Sequence, residues 1–255
     1  MKIIIVTPNE PFYLSDNISY LLKNLKKNNH DVVSCVLLSP SPYGRRETFF
    51  SKSQKVLSIF GLSFFIYYSL KYIKTKLFKP SVKKVLNLNK VPLTLLNKSI
   101  NHKDSLDIIN SYKPDLIISI LGNEIFKNEI LNLPTYGCIN LHSSLLPEFK
   151  GVMPSFWVLL KKENYTGVSV FKMDEGIDSG PIISQKKIAI AKNTTQKDLI
   201  ISTKKIGMEL IIESVEKIKS GKIAYINNPI GKGTYFSFPK KSDVNEFLKQ
   251  GGKFF

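Results

Sequence analysis

The chain has 255 residues, of which 43% are hydrophobic and 22% charged, and its formal net charge at pH 7 is +17. This composition excludes a disordered chain, and the length fits one large domain or one domain with a small appendage. Only two of the 37 basic residues, Arg45 and Arg46, are arginines, whose planar guanidinium reads phosphates and bases. The charge therefore suits a phosphorylated small substrate better than a nucleic acid, and a lysine-rich coding bias also explains it.

The amino-terminal part predicts a strand, a helix and a second strand. Residues 2–7 form a continuous apolar run, as in a strand that is covered on both faces. Apolar residues then recur at helical spacing over residues 17–27, after a cap at Ser15 or Asp16. A second apolar run at residues 32–38 completes the unit that forms a parallel crossover.

Residues 40–98 predict a mostly helical insertion, which begins with a Pro/Ser turn and the Arg45–Arg46 pair. Within it, residues 56–70 carry no charge, and several lysines follow as far as Lys79. This run is shorter than the roughly 20 residues that a helix needs to cross a bilayer. Two interpretations stay open. One is a helix that packs on the domain or in a homodimer contact, and the other is a peripheral membrane contact through residues 56–79.

Strand and helix patterns alternate again from residue 104 onwards. Helices are predicted at residues 104–111, 124–131, 153–160 and 195–219, and strands at residues 116–121, 136–141, 166–173 and 182–190. The expected fold class is therefore α/β, with a Rossmann-like, mostly parallel central sheet flanked by helices.

Ligands of open parallel sheets bind beyond the carboxyl ends of the strands. We therefore expect residues 7–9, 121–123 and 140–142 to line one crevice. No G-x-G-x-x-G follows the first strand, so a dinucleotide site has little support. Cys35 and Cys138 lie in apolar runs without metal-ligand spacing, so we predict two core cysteines and no metal site.

Three polar residues have the properties that acyl transfer to an amine requires. Asn140 and His142, two residues apart on a strand, point to the same side, and Asp178 lies in a glycine-flanked turn that can fold back toward them. The reaction needs stabilisation of an oxyanion, removal of a proton from the amine and protonation of the leaving nitrogen. We predict that these residues are catalytic.

The same stretch resembles the folate-dependent formyltransferases, the family of methionyl-tRNA formyltransferase, glycinamide ribonucleotide transformylase and the sugar N-formyltransferases. The resemblance rests on N-x-H-x-S-L-L-P at residues 140–147, on the following Gly151 and Pro154, and on T-G-V and D-x-G-I-D-S-G-P at residues 166–168 and 174–181. Such a protein would use 10-formyltetrahydrofolate as its co-substrate and no metal.

The resemblance also implies a role for each residue. Asn140 would hydrogen-bond the formyl oxygen or orient the imidazole, His142 would stabilise the oxyanion, and Asp178 would hold the histidine charge and relay protons. Backbone-rich segments would bind the pterin ring through Leu121, Gly122, Asn123, Asp174, Gly176 and Ile177. The expected substrate contacts are Asn9, Lys150 and Trp157, with a solvated lysine and a core tryptophan as the alternatives for the last two.

The resemblance covers about residues 1–215, which we predict to be the catalytic domain, and leaves residues 216–255 as a short C-terminal extension. An extension of roughly forty residues is too short for the barrel with which methionyl-tRNA formyltransferases grip tRNA. The run from Pro154 to Trp157 is more similar to the sugar enzymes than to the purine-pathway transformylase.

We therefore expect the acceptor to be the amine of a nucleotide-linked amino sugar used for a surface polysaccharide such as the lipopolysaccharide O-antigen. Methionyl-tRNA and glycinamide ribonucleotide are the alternative acceptors, and an inactive folate- or nucleotide-binding module is the alternative of another class. Lysines near the crevice would meet the nucleotide diphosphate, and no nucleic-acid partner is expected. The amino terminus enters a strand directly, without a secretory signal pattern, so we expect a cytoplasmic enzyme. We also expect the enzyme to be a homodimer.

Overall fold

The computed structural model describes residues 1–38, 48–229 and 231–255. The first part of the predicted insertion, with the Pro/Ser turn and the Arg45–Arg46 pair, lies outside the described residues. In the described ranges the strands are β1 (Lys2–Pro8), β2 (Asp31–Leu38), β3 (Leu93–Leu95), β4 (Leu116–Ile120), β5 (Cys138–His142), β6 (Lys150–Gly151), β7 (Tyr165–Lys172), β8 (Ile182–Ala189) and β9 (Tyr235–Phe236). The helices are α1 (Leu14–Lys27), α2 (Phe49–Phe78), α3 (Val82–Leu88), α4 (Lys103–Ser111), α5 (Asn128–Asn132), α6 (Pro154–Leu160), α7 (Gln196–Lys219) and α8 (Lys241–Lys249).

Seven strands form one mixed sheet in the order β3-β2-β1-β4-β5-β7-β8. The strands from β3 to β5 run parallel, whereas β7 is antiparallel to both β5 and β8. The predicted Rossmann-like α/β fold with a mostly parallel sheet is confirmed. Strand β1 lies between β2 and β4, at the point where the strand order reverses and where such sheets bind their ligands.

Both faces of the sheet are covered, as the apolar run of β1 predicts. Ile3 and Ile5 pack into a core with residues of α1, α3 and α7. The alternate residues Ile4 and Val6 pack on the other face with residues of α4 and α5. The two cysteines are free and buried in these two cores, as predicted, and burial raises the pKa of the Cys35 thiol to about 12.

A third cluster lies beside the sheet and is mostly aromatic. It joins Phe60 of α2, Phe156 and Trp157 of α6, and Phe247 of α8 with Phe254. The C-terminal extension thus packs on the predicted catalytic domain and on the insertion through large buried rings. The division of the chain into a catalytic domain and an extension stays a prediction.

The described part of the insertion is mostly helical, as predicted, but it also contains a strand that the sequence does not predict. Residues 93–95 form β3 and pair in parallel with β2 at the edge of the sheet. Three residues are too few for a strand pattern to be read from the sequence.

The second difference concerns the predicted helix over residues 124–131, since only Asn128–Asn132 is helical. The Glu124 carboxylate accepts hydrogen bonds from the Ser99 hydroxyl at 2.6 Å and from the Ile100 amide at 2.9 Å. These bonds hold the preceding segment outside the helix.

The predicted cap of α1 is also wrong, because the N-cap is Tyr13 and it makes no side-chain cap. The Glu10 carboxylate instead accepts the amides of Phe12 and Tyr13, at 2.7 and 2.9 Å, and closes the turn before the helix. A residue four positions before the helix therefore accepts backbone amides at its start, the role that was expected of Ser15 or Asp16.

Candidate active site

The three segments that the sequence places in one crevice leave the sheet at the same edge. Strands β1, β4 and β5 are neighbours and run parallel, so their carboxyl ends lie side by side. Ser119 of β4 is aligned with Val6 on one side and with Asn140 on the other. After β4, Leu121 adopts a left-handed conformation with φ of 56°, which turns the chain away from the sheet.

His142 and Asp178 lie together at this edge although 36 positions separate them in sequence. The distance between His142 Nδ1 and Asp178 Oδ2 is 3.5 Å, and their side chains are only 8% and 11% exposed. The other ring nitrogen, His142 Nε2, lies 2.7 Å from the carbonyl oxygen of Phe149. Because a carbonyl oxygen only accepts, Nε2 carries a proton and Nδ1 is the nitrogen that faces the carboxylate.

Backbone groups hold Asp178 in position. Its Oδ2 accepts a hydrogen bond from the Gly151 amide at 2.8 Å. Gly151 has a φ of 92°, and a Cβ atom there would lie 2.3 Å from the Phe236 carbonyl oxygen. The position therefore requires glycine, since only glycine allows this close approach and this conformation together. Asp178 itself has a positive φ of 50°, which the turn around it maintains.

Asn228 fixes the same turn from the C-terminal extension. Its side-chain amide donates hydrogen bonds to the carbonyl oxygens of Asp178 and Gly180, each at 2.9 Å. The residue is 5% exposed, so these bonds are shielded from water. No pattern in the sequence indicates this role, because Asn228 lies 50 residues from Asp178 in a segment without a motif.

Asn140 lies on β5 two residues before His142, so both side chains are on the same face of the sheet. It is partly buried, and its Oδ1 has no hydrogen-bond partner among the described residues. A buried acceptor without a partner costs free energy, so a ligand N–H at this place would be bound favourably. The structure thus brings the three predicted catalytic residues to one edge of the sheet.

A hydrogen bond joins the loop of the second predicted folate-binding segment to the start of α5, which follows the first segment. The Glu175 carboxylate accepts a hydrogen bond at 3.1 Å from the amide of Asn128, just beyond the segment that contains Leu121, Gly122 and Asn123. The Asp174 carboxylate accepts from the Gly176 amide and the Ser179 hydroxyl at 3.1 and 2.7 Å, which closes the loop before Asp178.

These segments also offer apolar surface. Leu121 is 37% and Ile177 is 40% exposed, and Gly122 carries no side chain that would cover the neighbouring backbone. Exposed apolar side chains beside accessible backbone suit a flat heterocycle, whose faces are apolar and whose edge forms hydrogen bonds.

The predicted substrate contacts fall in three different environments. Asn9 is exposed directly after β1, at the crevice edge of the sheet. Lys150 is 8% exposed in β6, which pairs with β9 of the C-terminal extension, so it is not a solvated lysine.

Trp157 does not face the crevice, so the prediction that it contacts the substrate is wrong. It is 7% exposed, its ring stacks on Phe236 at a centroid distance of 4.7 Å, and its indole N–H donates to the Ser237 carbonyl at 3.0 Å. The alternative of a core tryptophan is therefore the one that the structure shows.

Two lysines near the end of β1 were not predicted as site residues. Lys204 of α7 is 8% exposed, and its ammonium forms no hydrogen bond or ion pair within the part of the chain that the structure describes. Burial lowers the pKa of Lys204, and the nearby Glu10 carboxylate opposes this effect.

Lys71 of α2 lies in a similar environment. Its Nζ lies 3.6 Å from the ring centroid of Tyr13, and burial lowers its pKa to about 8. The Glu10 charge acts on Lys71 as well as on Lys204, which puts both cations near the turn that follows β1. In the sequence, neither lysine differs from the many solvated ones around it.

The fold and this edge of the sheet define a Rossmann-like α/β protein with a buried His–Asp pair at a strand end. Residues 1–215 match the formyl transferase family, and the chain belongs to that family. The methionyl-tRNA formyltransferase of Thermotoga maritima is 36% identical over 163 residues, which are 64% of this chain and 52% of that protein. The chain therefore spans about half the length of this relative.

Solved structures share the fold at lower identity. The N-formyltransferase of Helicobacter canadensis, in complex with folinic acid and dTDP-3-aminofucose, aligns with a TM-score of 0.61 and 18% identity over 97% of this chain and 79% of that chain. Glycinamide ribonucleotide transformylase 1 of Symbiobacterium toebii aligns with a TM-score of 0.62 and 15% identity, over 89% and 92% of the two chains.

Proposed function

We propose that this protein transfers a formyl group from 10-formyltetrahydrofolate to the amine of a nucleotide-linked amino sugar. The observation that carries the reaction type is the buried pair of His142 and Asp178, 3.5 Å apart, beside Asn140 on the same face of β5. Polar groups that are shielded from water act more strongly on a reacting carbonyl than the same groups in solvent.

Each of the three side chains has a defined task in this proposal. When the amine nitrogen attacks the formyl carbon, the carbonyl oxygen becomes an oxyanion. His142 has its Nε2–H committed to the Phe149 carbonyl, so the protonated imidazole stabilises the oxyanion through Nδ1–H. The Asn140 amide donates to the same oxygen, and its Oδ1 accepts an N–H of the amine.

Asp178 completes the proton balance. The amine nitrogen gains a bond to the formyl carbon and loses one proton, and N10 of the folate gains one proton as its bond to that carbon breaks. Asp178 accepts the first proton, directly or through a water molecule, and supplies the second. The Gly151 amide holds the carboxylate in place during both transfers.

The formyl donor would bind between the two folate segments. The exposed Leu121 and Ile177 supply apolar contacts, and the backbone around Gly122 and Gly176 supplies hydrogen bonds to the pterin edge. The Helicobacter canadensis structure, which contains folinic acid, supports a folate as the donor.

Two observations support a nucleotide sugar as the acceptor. The structural alignment with the Helicobacter canadensis enzyme covers 97% of this chain, and so most of the C-terminal extension, whereas the structural alignment with glycinamide ribonucleotide transformylase 1 covers 89%. In addition, Lys71 and Lys204 lie near Glu10 without an ion pair of their own, and a diphosphate would supply the missing anion.

Methionyl-tRNA is the second candidate acceptor. It is favoured by the 36% identity to a methionyl-tRNA formyltransferase and by the net charge of +17, which attracts the RNA backbone. Glycinamide ribonucleotide is a smaller acceptor of the same reaction type and belongs in the same experiment.

The test is a competition among acceptors. The protein is incubated with 10-formyltetrahydrofolate and one of three kinds of acceptor. These are nucleotide sugars that carry a free amine, glycinamide ribonucleotide, and methionyl-tRNA. Tetrahydrofolate release and the mass of the product are measured. We expect turnover with a nucleotide sugar, its loss in His142→Gln, and its retention in His102→Gln, a control histidine that is exposed on the surface.

Preferential turnover of methionyl-tRNA would replace the sugar proposal and keep the formyl transfer. Binding of folate or nucleotide without any turnover would indicate the inactive binding module and would overturn the proposed reaction.

A further inference from the structure

One face of helix α2 presents a row of apolar side chains that no other part of the described chain covers. The row consists of Leu62, Ile66, Leu70, Ile73 and Leu77, hereafter the outward stripe, whose exposed fractions lie between 48% and 71%. These residues follow one another at intervals of three or four. Since successive helical residues are about 100° apart, all five fall within an arc of about 80°.

The opposite face of α2 attaches the helix to the protein. The Phe64 ring lies 4.9 Å from that of Phe254, and the Tyr68 ring lies 5.3 Å from that of Phe12. Lys71 lies on the same inner face and contacts the Tyr13 ring at 3.6 Å. The inner face is therefore occupied, so the helix cannot bury the outward stripe by turning about its axis.

The segment of the chain that carries the outward stripe is strongly basic. Between Thr48 and Lys103 the chain contains eleven lysines and no acidic residue. Lys74 and Lys76 are exposed and lie on opposite sides of the stripe, about 80° from its centre. Their flexible stems allow the ammonium groups to extend past the apolar side chains toward a charged surface.

We propose that the outward stripe binds an anionic lipid surface, with α2 lying in the plane of the membrane. The apolar side chains enter the boundary between head groups and acyl chains, and the lysines on both sides contact lipid phosphates. The amino-acid pattern and the charge are complementary to such a surface over the length of the helix from residue 62 to 78.

Two other arrangements fit the observations less well. By length and composition alone, the helical stretch Phe50–Leu88, which covers most of α2 and all of α3, is apolar enough to cross a membrane. However, Phe64 and Tyr68 hold it on the protein, and the backbone of Gly61 is not helical. A helix attached along one side in this way lies on a bilayer and does not cross it.

A second copy of the chain is the other arrangement. Each copy carries a net charge of +17, and a two-fold contact through the outward stripe would bring the same lysine-rich segment of both copies together. The resulting repulsion opposes this contact, whereas anionic lipid neutralises the charge.

The experiment measures binding to vesicles, which needs no formyl transfer and so stands apart from the proposed function. The full chain is sedimented with phosphatidylcholine vesicles that contain no or about 30% phosphatidylglycerol. We expect binding only to the anionic vesicles. The triple variant Ile66→Ser, Leu70→Ser, Ile73→Ser should bind about tenfold more weakly or worse, because it removes the centre of the stripe.

A matched control changes three apolar residues of similar exposure elsewhere, Ile108→Ser, Ile201→Ser and Leu248→Ser, and should bind as the unmodified protein does. The pair Lys74→Gln and Lys76→Gln should weaken binding about 25-fold, since each lysine near an anionic surface contributes about a factor of five. Lys222→Gln with Lys249→Gln, two exposed lysines elsewhere, is the control for charge.

The proposal is overturned if the stripe variant and its control bind the anionic vesicles equally. It is also overturned if light scattering shows that the unmodified protein is a dimer that the stripe variant converts to a monomer. Circular dichroism of every variant establishes that the fold is retained.

Discussion

At the scale of single residues, the candidate active site depends on where one carboxylate is held. Asp178 has a positive φ, and its Oδ2 accepts the Gly151 amide. This contact leaves the carboxylate 3.5 Å from His142 Nδ1, so its negative charge acts on the imidazole across a short distance. The charge of Asp178, and not its shape, is therefore what the proposed reaction requires.

The Asp178→Asn variant tests this requirement. The asparagine oxygen can still accept the Gly151 amide, so we expect the melting temperature to change little. The loss of the negative charge should lower kcat about 100-fold or more, because the proton relay is removed. Steady-state kinetics beside Asp107→Asn, an exposed aspartate, gives the comparison, and full activity of Asp178→Asn would refute the relay.

Lys204 allows a prediction about stability and pH. Burial lowers its pKa in the folded protein, whereas the unfolded chain holds this proton up to about pH 10.4. Between the pKa of Lys204 in the folded protein and its pKa in the unfolded chain, the unfolded state therefore binds more protons than the folded state. The stability of the unmodified protein rises with pH across this range. Below the folded pKa, the buried charge is a cost to the folded state.

We accordingly expect Lys204→Met to raise the free energy of unfolding at pH 7. This gain should shrink as the pH approaches the pKa of lysine in the unfolded chain. Urea unfolding at several pH values measures it, with the exposed Lys205→Met as the control. If Lys204 also meets the diphosphate, the same variant raises KM for the nucleotide sugar. A loss of stability at pH 7 would show that the ammonium is well solvated.

At the scale of elements, the site is built from segments that are distant in sequence. The loop before Asp178 is closed on one side by Asp174 and on the other by Asn228 of the C-terminal extension. The extension also forms β9, which pairs with β6, the strand that contains Gly151. A segment outside the catalytic motif therefore supports both the carboxylate and the residue that binds it.

The Asn228→Ala variant removes the support of this turn. Without the two hydrogen bonds to the Asp178 and Gly180 carbonyl groups, the turn becomes mobile, and we expect kcat to fall about tenfold while KM for the folate changes less. The exposed neighbour Asn227→Ala is the control.

A purely structural role for Asn228 would lower the melting temperature without affecting kcat below that temperature. Measuring both quantities on the same preparation separates positioning of the catalytic turn from simple stabilisation.

Long periodic patterns in the sequence predict helices correctly, whereas tertiary contacts determine where a short helix begins. The periodic segment that forms α7 begins after Thr195 and ends at Lys219, as the sequence predicts. Around residue 124, by contrast, the predicted helix is displaced by hydrogen bonds from Ser99 and Ile100, which no local pattern reveals.

At the scale of the whole molecule, the aromatic cluster joins the insertion, α6 and the C-terminal extension. Phe247 is 1% exposed and lies 4.9 Å from Phe254 and 5.1 Å from Phe156, measured between ring centroids. The extension is therefore part of the folded body and not a loose appendage.

The Phe247→Ala variant should lower the free energy of unfolding by about 3–5 kcal/mol, the usual range for a buried phenylalanine. The adjacent Leu248→Ala, whose side chain is 50% exposed, should change it by about 0.5 kcal/mol or less. Denaturant unfolding of both variants measures the difference. Equal effects would mean that the extension is not packed on the rest of the protein.

The sequence by itself determined the α/β class, most of the sheet strands and the residues that form the candidate active site. Apolar runs specify buried strands, and the motifs around Asn140 and Asp178 predict a chemistry, because both depend on residues that are near one another in the chain.

Only the tertiary structure decided that Asp178 lies beside His142 Nδ1, that Asn228 holds the turn around Asp178, that Trp157 is a core residue, and that one face of α2 is exposed. Each of these depends on contacts between segments tens of residues apart. Residues of the same type look alike in the sequence whether such a contact forms or not, so local patterns cannot distinguish them.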